Sequence, residues 1–245
     1  PLIWGNNVKY FDYEPRELLE KRAHDRQKQL VHPVDIDYID PNGDLTSLVH
    51  EQQQQLSNDN DNFLMIVSSH VMVKQRDLIK HLQDVSNLMQ NGGYYVALVP
   101  DTRFCFDHYV QETTIADVLD DYHNERYKQH GYKLKTTVEH YAFVTHNEAS
   151  KHWNNQHGQR ISFDVVDRLK KGLSHYNEHN NDYTTTTTAA AAANEMHNYR
   201  YTPQSLAFMI DTLNELGYID LRVHRLYETL KDELEFHIVL KKCAL

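Results

Sequence analysis

Between Phe63 and Asp101 the sequence changes its periodicity twice, and this restricts the possible folds more than any other stretch of the chain. Phe63 to Ser68 (FLMIVS) is a continuous apolar run, the pattern of a strand covered on both faces. From Arg76 to Met89 the apolar residues Leu78, Ile79, Leu82, Val85, Leu88 and Met89 fall at helical spacing. Asn91-Gly-Gly predicts the helix end, because glycine readily takes the left-handed backbone found there. Tyr94 to Val99 then reads as a second strand, stopped by Pro100-Asp101.

The flanking segments extend this unit. Val8 to Tyr13 is a short β-rich run, and Pro15 opens a helix with Leu18, Leu19 and Ala23 on one face. Val34 to Ile39 alternates apolar and acidic residues like a strand, and Asp40-Pro-Asn-Gly reads as a turn. Near the other end, Thr202-Pro203 predicts a capped helix to about Leu216, closed by Gly217. Ile219–Leu226 and Glu235–Lys241 follow as an antiparallel strand pair. Residues 102–198 break the alternation. They are rich in Tyr, His and charge, with helical patches at Thr114–Gln129 and Val138–Trp153 and a Thr/Ala tract at 184–193 that carries no packing code. The expected architecture is α/β: one domain over residues 1–245, with a mostly parallel sheet, helices on both faces, a terminal antiparallel pair and a helical insertion at about 102–198.

Charge and composition exclude several functions. A net charge of −10 argues against a nucleic-acid partner, which needs a positive surface. No run approaches the roughly 20 apolar residues of a membrane helix. Cys105 and Cys243 are too few for a disulfide framework, so a reducing, cytoplasmic setting is expected. The 17 histidines show no HExxH, no HxH and no Cys/His cluster, and the gaps between His140 and His146 and between His152 and His157 are not diagnostic. They read as scattered surface residues, and no metal is expected.

The segments Ser68-Ser-His-Val, Asp77-Leu-Ile-Lys-His-Leu-Gln-Asp-Val-Ser-Asn-Leu-Met and Asn91-Gly-Gly-Tyr-Tyr-Val-Ala-Leu-Val-Pro-Asp together resemble the class I S-adenosylmethionine-dependent methyltransferases, whose sheet is Rossmann-like. Pro100-Asp-Thr-Arg-Phe-Cys-Phe-Asp-His-Tyr, followed by Glu112-Thr-Thr, resembles a narrower branch associated with glycosyltransferases in polysaccharide assembly. The similarity covers Pro1 to about Gly158 and resumes from Tyr201. The resemblance implies that Asp12 grips the cofactor ribose through its two oxygens. It implies that Asp44 and Leu45 meet the adenine. Ser68, Ser69 and His70 would end a strand at the sheet edge where open α/β sheets hold ligands. Two features depart from the family. Its first strand and glycine-rich turn would stand before Pro1, and Met72-Val73-Lys74 replaces its Glu-His pair.

The implied reaction is transfer of a sulfonium methyl to a hydroxyl of a sugar or glycan, with a fused or associated glycosyltransferase as partner. Such a transfer needs a general base as the hydroxyl proton leaves. His108, Asp107, His140 and Asp101 are candidates for it, lying just past the strand edge or in the inserted helices. Asp101 and Arg103 are candidates for holding the acceptor, Arg103 through an anionic group such as phosphate. The alternative is a methyltransferase-like domain without activity, serving assembly or protein contact. A different nucleotide-binding α/β enzyme is less favoured because no phosphate-binding loop occurs.

Overall fold

The computed structural model describes residues 8–12, 15–25, 35–39, 62–128, 133–181 and 196–243. Its compact units divide between Ser57 and Asn58. In the N-terminal unit, β1 (Phe11–Asp12) pairs in parallel with β2 (Tyr38–Ile39), and α1 (Arg16–Asp25) lies between them in sequence. Lys9 Nζ and the Tyr10 amide both bond the Asp37 carboxylate, at 2.8 and 2.9 Å. The Asp40-Pro-Asn-Gly turn and the 184–193 tract lie outside the described residues.

The second unit holds a sheet in the order β3-β4-β6-β5, comprising β3 (Phe63–Ser69), β4 (Met89–Pro100), β5 (Leu221–Tyr227) and β6 (Glu235–Lys242). β3 and β4 are parallel, with Ser69 beside Leu98. β6 runs antiparallel to both β4 and β5. The unit is therefore α/β with a mixed sheet, rather than the mostly parallel one expected. A short connection between β5 and β6 forces an antiparallel pair, and β6 then inserts beside β4.

The helix α2 (Leu78–Leu88) crosses between β3 and β4 as the periodicity predicts. Its N-cap Asp77 accepts a bond from the Lys80 amide, and Leu78, Ile79, Leu82 and Val85 are sealed against the sheet side of the unit. The helix stops before the glycine pair, which falls instead inside the start of β4. Gly92 has φ +78°, and a Cβ on Gly93 would stand 3.1 Å from the Leu64 carbonyl, so the pair serves a tight approach of β4 to β3. A second difference concerns β3. Leu64 is 62% and Met65 51% exposed, so the apolar run is not covered on both faces. β3 is the edge of the described sheet, and the doubly buried strand is the second half of β4.

The insertion contains α3 (Ile115–His123), α4 (Leu134–Phe143), α5 (Ala149–Trp153) and α6 (Val165–Asn181). Thr114 and Asp117 form a reciprocal capping box on α3. α6 is a helix that the periodicity did not indicate. It packs on α4 through Gly172, where a Cβ would lie 2.9 Å from that of Tyr141. Arg168 reaches across to the Tyr141 and Val144 carbonyls at 2.7 and 2.8 Å, satisfying acceptors that the end of α4 leaves open. The helix α7 (Pro203–Glu215) starts as predicted, with Thr202 and Ser205 in a capping box and Pro203 in the first turn. It packs on β5 and β6 through Leu206, Ile210 and Leu213.

Candidate functional site

The carboxyl ends of the parallel strands β3 and β4 lie side by side, and β6 begins there. His70, just past β3, has φ +57°, a backbone state that costs a residue with a Cβ. Its amide donates to the Leu98 carbonyl at 2.9 Å, which holds the turn against β4. Its Nε2 lies 2.5 Å from Glu235 Oε2, and both side chains are about one-third exposed. Glu235 opens β6 opposite Pro100. The edge thus presents an imidazole oriented by a carboxylate, an arrangement suited to taking a proton. Ser69 is exposed beside it.

Asp101 follows β4 and is fully buried. Arg103 Nε and Nη2 donate to its two oxygens at 2.9 and 2.6 Å, the Arg103 amide donates at 3.0 Å, and the Thr229 hydroxyl donates at 2.6 Å. This carboxylate is saturated, so it organises the edge rather than offering an open acceptor. The Arg103 side chain remains 41% exposed, and its guanidinium also approaches Glu228 at 3.5 Å. The Asp101 bonds raise the Arg103 pKa above its ordinary value and fix its planar face at the rim.

Asp107 is sealed, with 0% of its surface exposed. His197 Nδ1 donates to one oxygen at 2.7 Å, and Arg200 Nε approaches the other at 3.5 Å, while Arg200 Nη1 bonds Glu139 at 3.0 Å. Burial would raise the Asp107 pKa, but the His197 bond and the charges of His197, Arg200 and His140 outweigh it and hold the carboxyl below its ordinary value. A base must face its substrate. Asp107 has no such face, and its geometry is that of a buried ion-pair network.

His108 joins a histidine cluster. Its ring stacks on His157 at 3.7 Å between centroids and 6° between planes, and its Nδ1 donates to the Arg103 carbonyl at 2.7 Å. His152 Nδ1 and His157 Nδ1 are 3.0 Å apart, and His152 Nε2 donates to the His146 carbonyl at 3.0 Å. Burial and neighbouring imidazoles push His152 and His157 below the ordinary histidine value. Two groups bring three donor side chains within 4.8 Å of one another among the described residues: His108, His152 and His157, and the fully buried Cys105, Asp107 and His197. The reading of scattered surface histidines therefore fails at His81, His152 and His197, which are buried.

The remaining sequence candidates separate. His140 lies on α4, edge-on to the Phe106 ring at 5.9 Å. Asp12 is the last residue of β1 in the N-terminal unit, beside Ile39. Asp44 and Leu45 lie outside the described residues. Sequence reasoning missed Glu235, Thr229, His197 and Arg200. Glu235 is 165 positions from His70, and its only sequence signal is an acidic residue opening a strand.

No protein-family model matches the chain, and no curated protein matches it. Among solved structures, similarity extends to a candidate Zn-dependent alcohol dehydrogenase from Rhodobacter sphaeroides (TM-score 0.39, 11% identity, 97% of this chain and 76% of that one). It extends to a candidate exported protein from Bordetella parapertussis (TM-score 0.30, 11% identity, 96% and 52%). A candidate methyltransferase from Bacillus halodurans gives TM-score 0.27 and 11% identity over 96% of this chain and 82% of that one. Likeness of this size identifies no family.

Proposed function

We propose that the chain is a Rossmann-like S-adenosylmethionine-dependent methyltransferase acting on a hydroxyl of a sugar or glycan. The observation that carries this reading is the His70–Glu235 pair at the carboxyl edge of β3, where open α/β sheets hold their ligands. Ser69, exposed at this edge, would offer its hydroxyl to the cofactor, and the carboxylate that the resemblance implies for the ribose is Asp12. When bound, the cofactor supplies an electrophilic methyl group. The chain supplies the base: His70 accepts the hydroxyl proton, and Glu235 orients the ring. Arg103, fixed by Asp101, turns a donor face to an oxygen-rich acceptor.

A second reading, a methyltransferase-like scaffold without activity, also has support. Close approach of a nucleoside favours a positive-φ glycine beyond a strand. The positive-φ glycines described are Gly92, Gly158 and Gly217, and none follows the carboxyl end of a strand. Met72 and Val73, which replace the family's Glu-His pair, are each 1% exposed, and the Val73 carbonyl accepts the Asn198 and Tyr199 amides. That segment is committed to packing.

Calorimetric titration with S-adenosylhomocysteine separates the two. The enzyme reading expects saturable binding that Asp12→Ala abolishes. It also expects His70→Gln and Glu235→Gln to lower methyl transfer to glycan acceptors, His70→Gln by roughly 100-fold or more. A folded wild-type chain that does not bind establishes the scaffold reading instead.

A further inference from the structure

We propose that His108, His152 and His157 form a binding site for a divalent cation of the Zn²⁺ class, independent of the methyl-transfer reading. His108 comes from the segment following β4, His152 from α5 and His157 from the loop after α5. Bonds from Thr145 to Phe106 and from Tyr109 to Gly158 join the first segment to the second, around α5; two more brace the second internally and against the β5–β6 connection. The Thr145 amide donates to the Phe106 carbonyl at 2.9 Å, Thr145 Oγ1 to the His157 carbonyl at 2.5 Å, the Tyr109 hydroxyl to the Gly158 carbonyl at 2.8 Å, and Trp153 Nε1 to the Glu233 carbonyl at 2.9 Å. Phe104 stacks on Trp153 at 3.9 Å and 6°. Gly158 takes φ +81° and lets the chain turn close to Thr145.

The hydrogen bonds fix which nitrogens carry lone pairs. A carbonyl only accepts, so His108 carries its proton on Nδ1, facing Arg103, and His152 carries its proton on Nε2, facing His146. His108 Nε2 and His152 Nδ1 are left as acceptors. His157 Nδ1 then donates to His152 Nδ1 across 3.0 Å. Metal-bound histidines are held in this way, with the N–H that faces away from the metal tied to a backbone carbonyl. A cation takes the place of the proton between His152 and His157, and the His157 proton moves to its own Nε2, so that all three rings bind as neutral imidazoles. Tetrahedral Zn²⁺ with Zn–N near 2.0–2.1 Å sets its nitrogens about 3.4 Å apart. The donors lie within 4.8 Å of one another, so a modest rotation of His108 closes the set. Three imidazoles leave a fourth position for water or another ligand. In the alternative group, Cys105, Asp107 and His197, the carboxylate and the imidazole are already paired with each other, and the carboxylate also with Arg200.

The test is a titration of the full, tag-free chain, stripped with chelator, using Zn²⁺ in a calorimeter and Co²⁺ by visible absorption. One Zn²⁺ per chain is expected, with the intense bands of four- or five-coordinate Co²⁺. His108→Gln and His157→Gln, both outside the core, should each weaken binding at least tenfold, while His237→Gln, at an exposed position of β6, should leave it unchanged. Circular dichroism establishes that each protein is folded. The proposal is overturned if the folded chain takes up no stoichiometric metal, or if uptake is indifferent to both His108→Gln and His157→Gln.

Discussion

The sheet and the insertion of the larger unit are held by different physics. In the sheet, Tyr95, Ala97, Val99, Phe236, Ile238 and Leu240 are fully buried, and α2 and α7 cover it with Leu and Ile. In the insertion and the segment that returns from it, charged and imidazole groups are buried beside the apolar ones: Asp107, Asp121, Arg126, His152, His197 and Arg200 accompany Val110, Val118, Ala142, Tyr199 and Tyr201. Asp107 meets His197 and Arg200, Arg200 meets Glu139, and Asp121 meets Tyr199 and Lys133. An apolar core responds to lost volume and ignores pH. A buried charged network is sensitive to the loss of any one member, because the partner left behind stays desolvated. The comparison teaches that stability in the insertion is specified by pairing, and in the sheet by packing.

Asp107→Ala should give the largest effect, about 3–5 kcal/mol, by leaving Arg200 buried beside Glu139 alone. Urea unfolding checks it, and a loss under about 1 kcal/mol would break the contrast. Leu82→Ala, in the fully buried face of α2, should cost about 3 kcal/mol through lost burial and a residual cavity. Unlike Asp107→Ala, its cost should be the same at pH 5.5 and pH 7.5.

Acidification sharpens the comparison further. Burial pushes His197 below its ordinary value of 6.5, outweighing Asp107, with Lys74 and Arg200 adding to the downward shift. As pH falls through about 6.5 the unfolded chain takes a proton that the folded chain refuses, so stability drops. A second loss follows below the ordinary Asp value of 3.8, because the Asp107 carboxyl is held lower still in the fold. The urea midpoint should therefore fall between pH 7.5 and 5.5, and His197→Gln should flatten that slope. A midpoint that rises on acidification would refute the assignment. The smallest effect compares like with like: Thr114→Ala and Thr202→Ala each remove a capping-box hydroxyl and should each cost about 1 kcal/mol. Unequal costs would mean that the two regions do not unfold together.

Legibility in the sequence follows the same divide. α2 and α7 were readable because apolar spacing and capping residues act locally, as at Thr202-Pro203. The β5–β6 pair was readable because a short link leaves one pairing direction. The edge position of β3 was not readable, since Phe63–Ser68 is as apolar as a central strand would be and its neighbours are decided elsewhere. α6 was not indicated because its contact rests on Gly172 and Arg168 rather than on an apolar stripe. In the site, His70 could be placed at a strand end, but its partner Glu235 could not. Asp107 looked available because burial cannot be read from a residue's own neighbours. His152 and His157 looked scattered because His108, which stacks on His157, comes from another loop.

The position of β6 has a consequence during biosynthesis. β6 lies between β4 and β5, so the four-stranded sheet has a gap until residues Glu235–Lys242 arrive. A ribosome that has delivered everything through Tyr227 has released β3, β4, α2 and the whole insertion with two strand edges facing the vacancy. The nascent chain must keep those edges from pairing with other chains until the filling strand emerges. The late strand sets the moment at which this sheet can close.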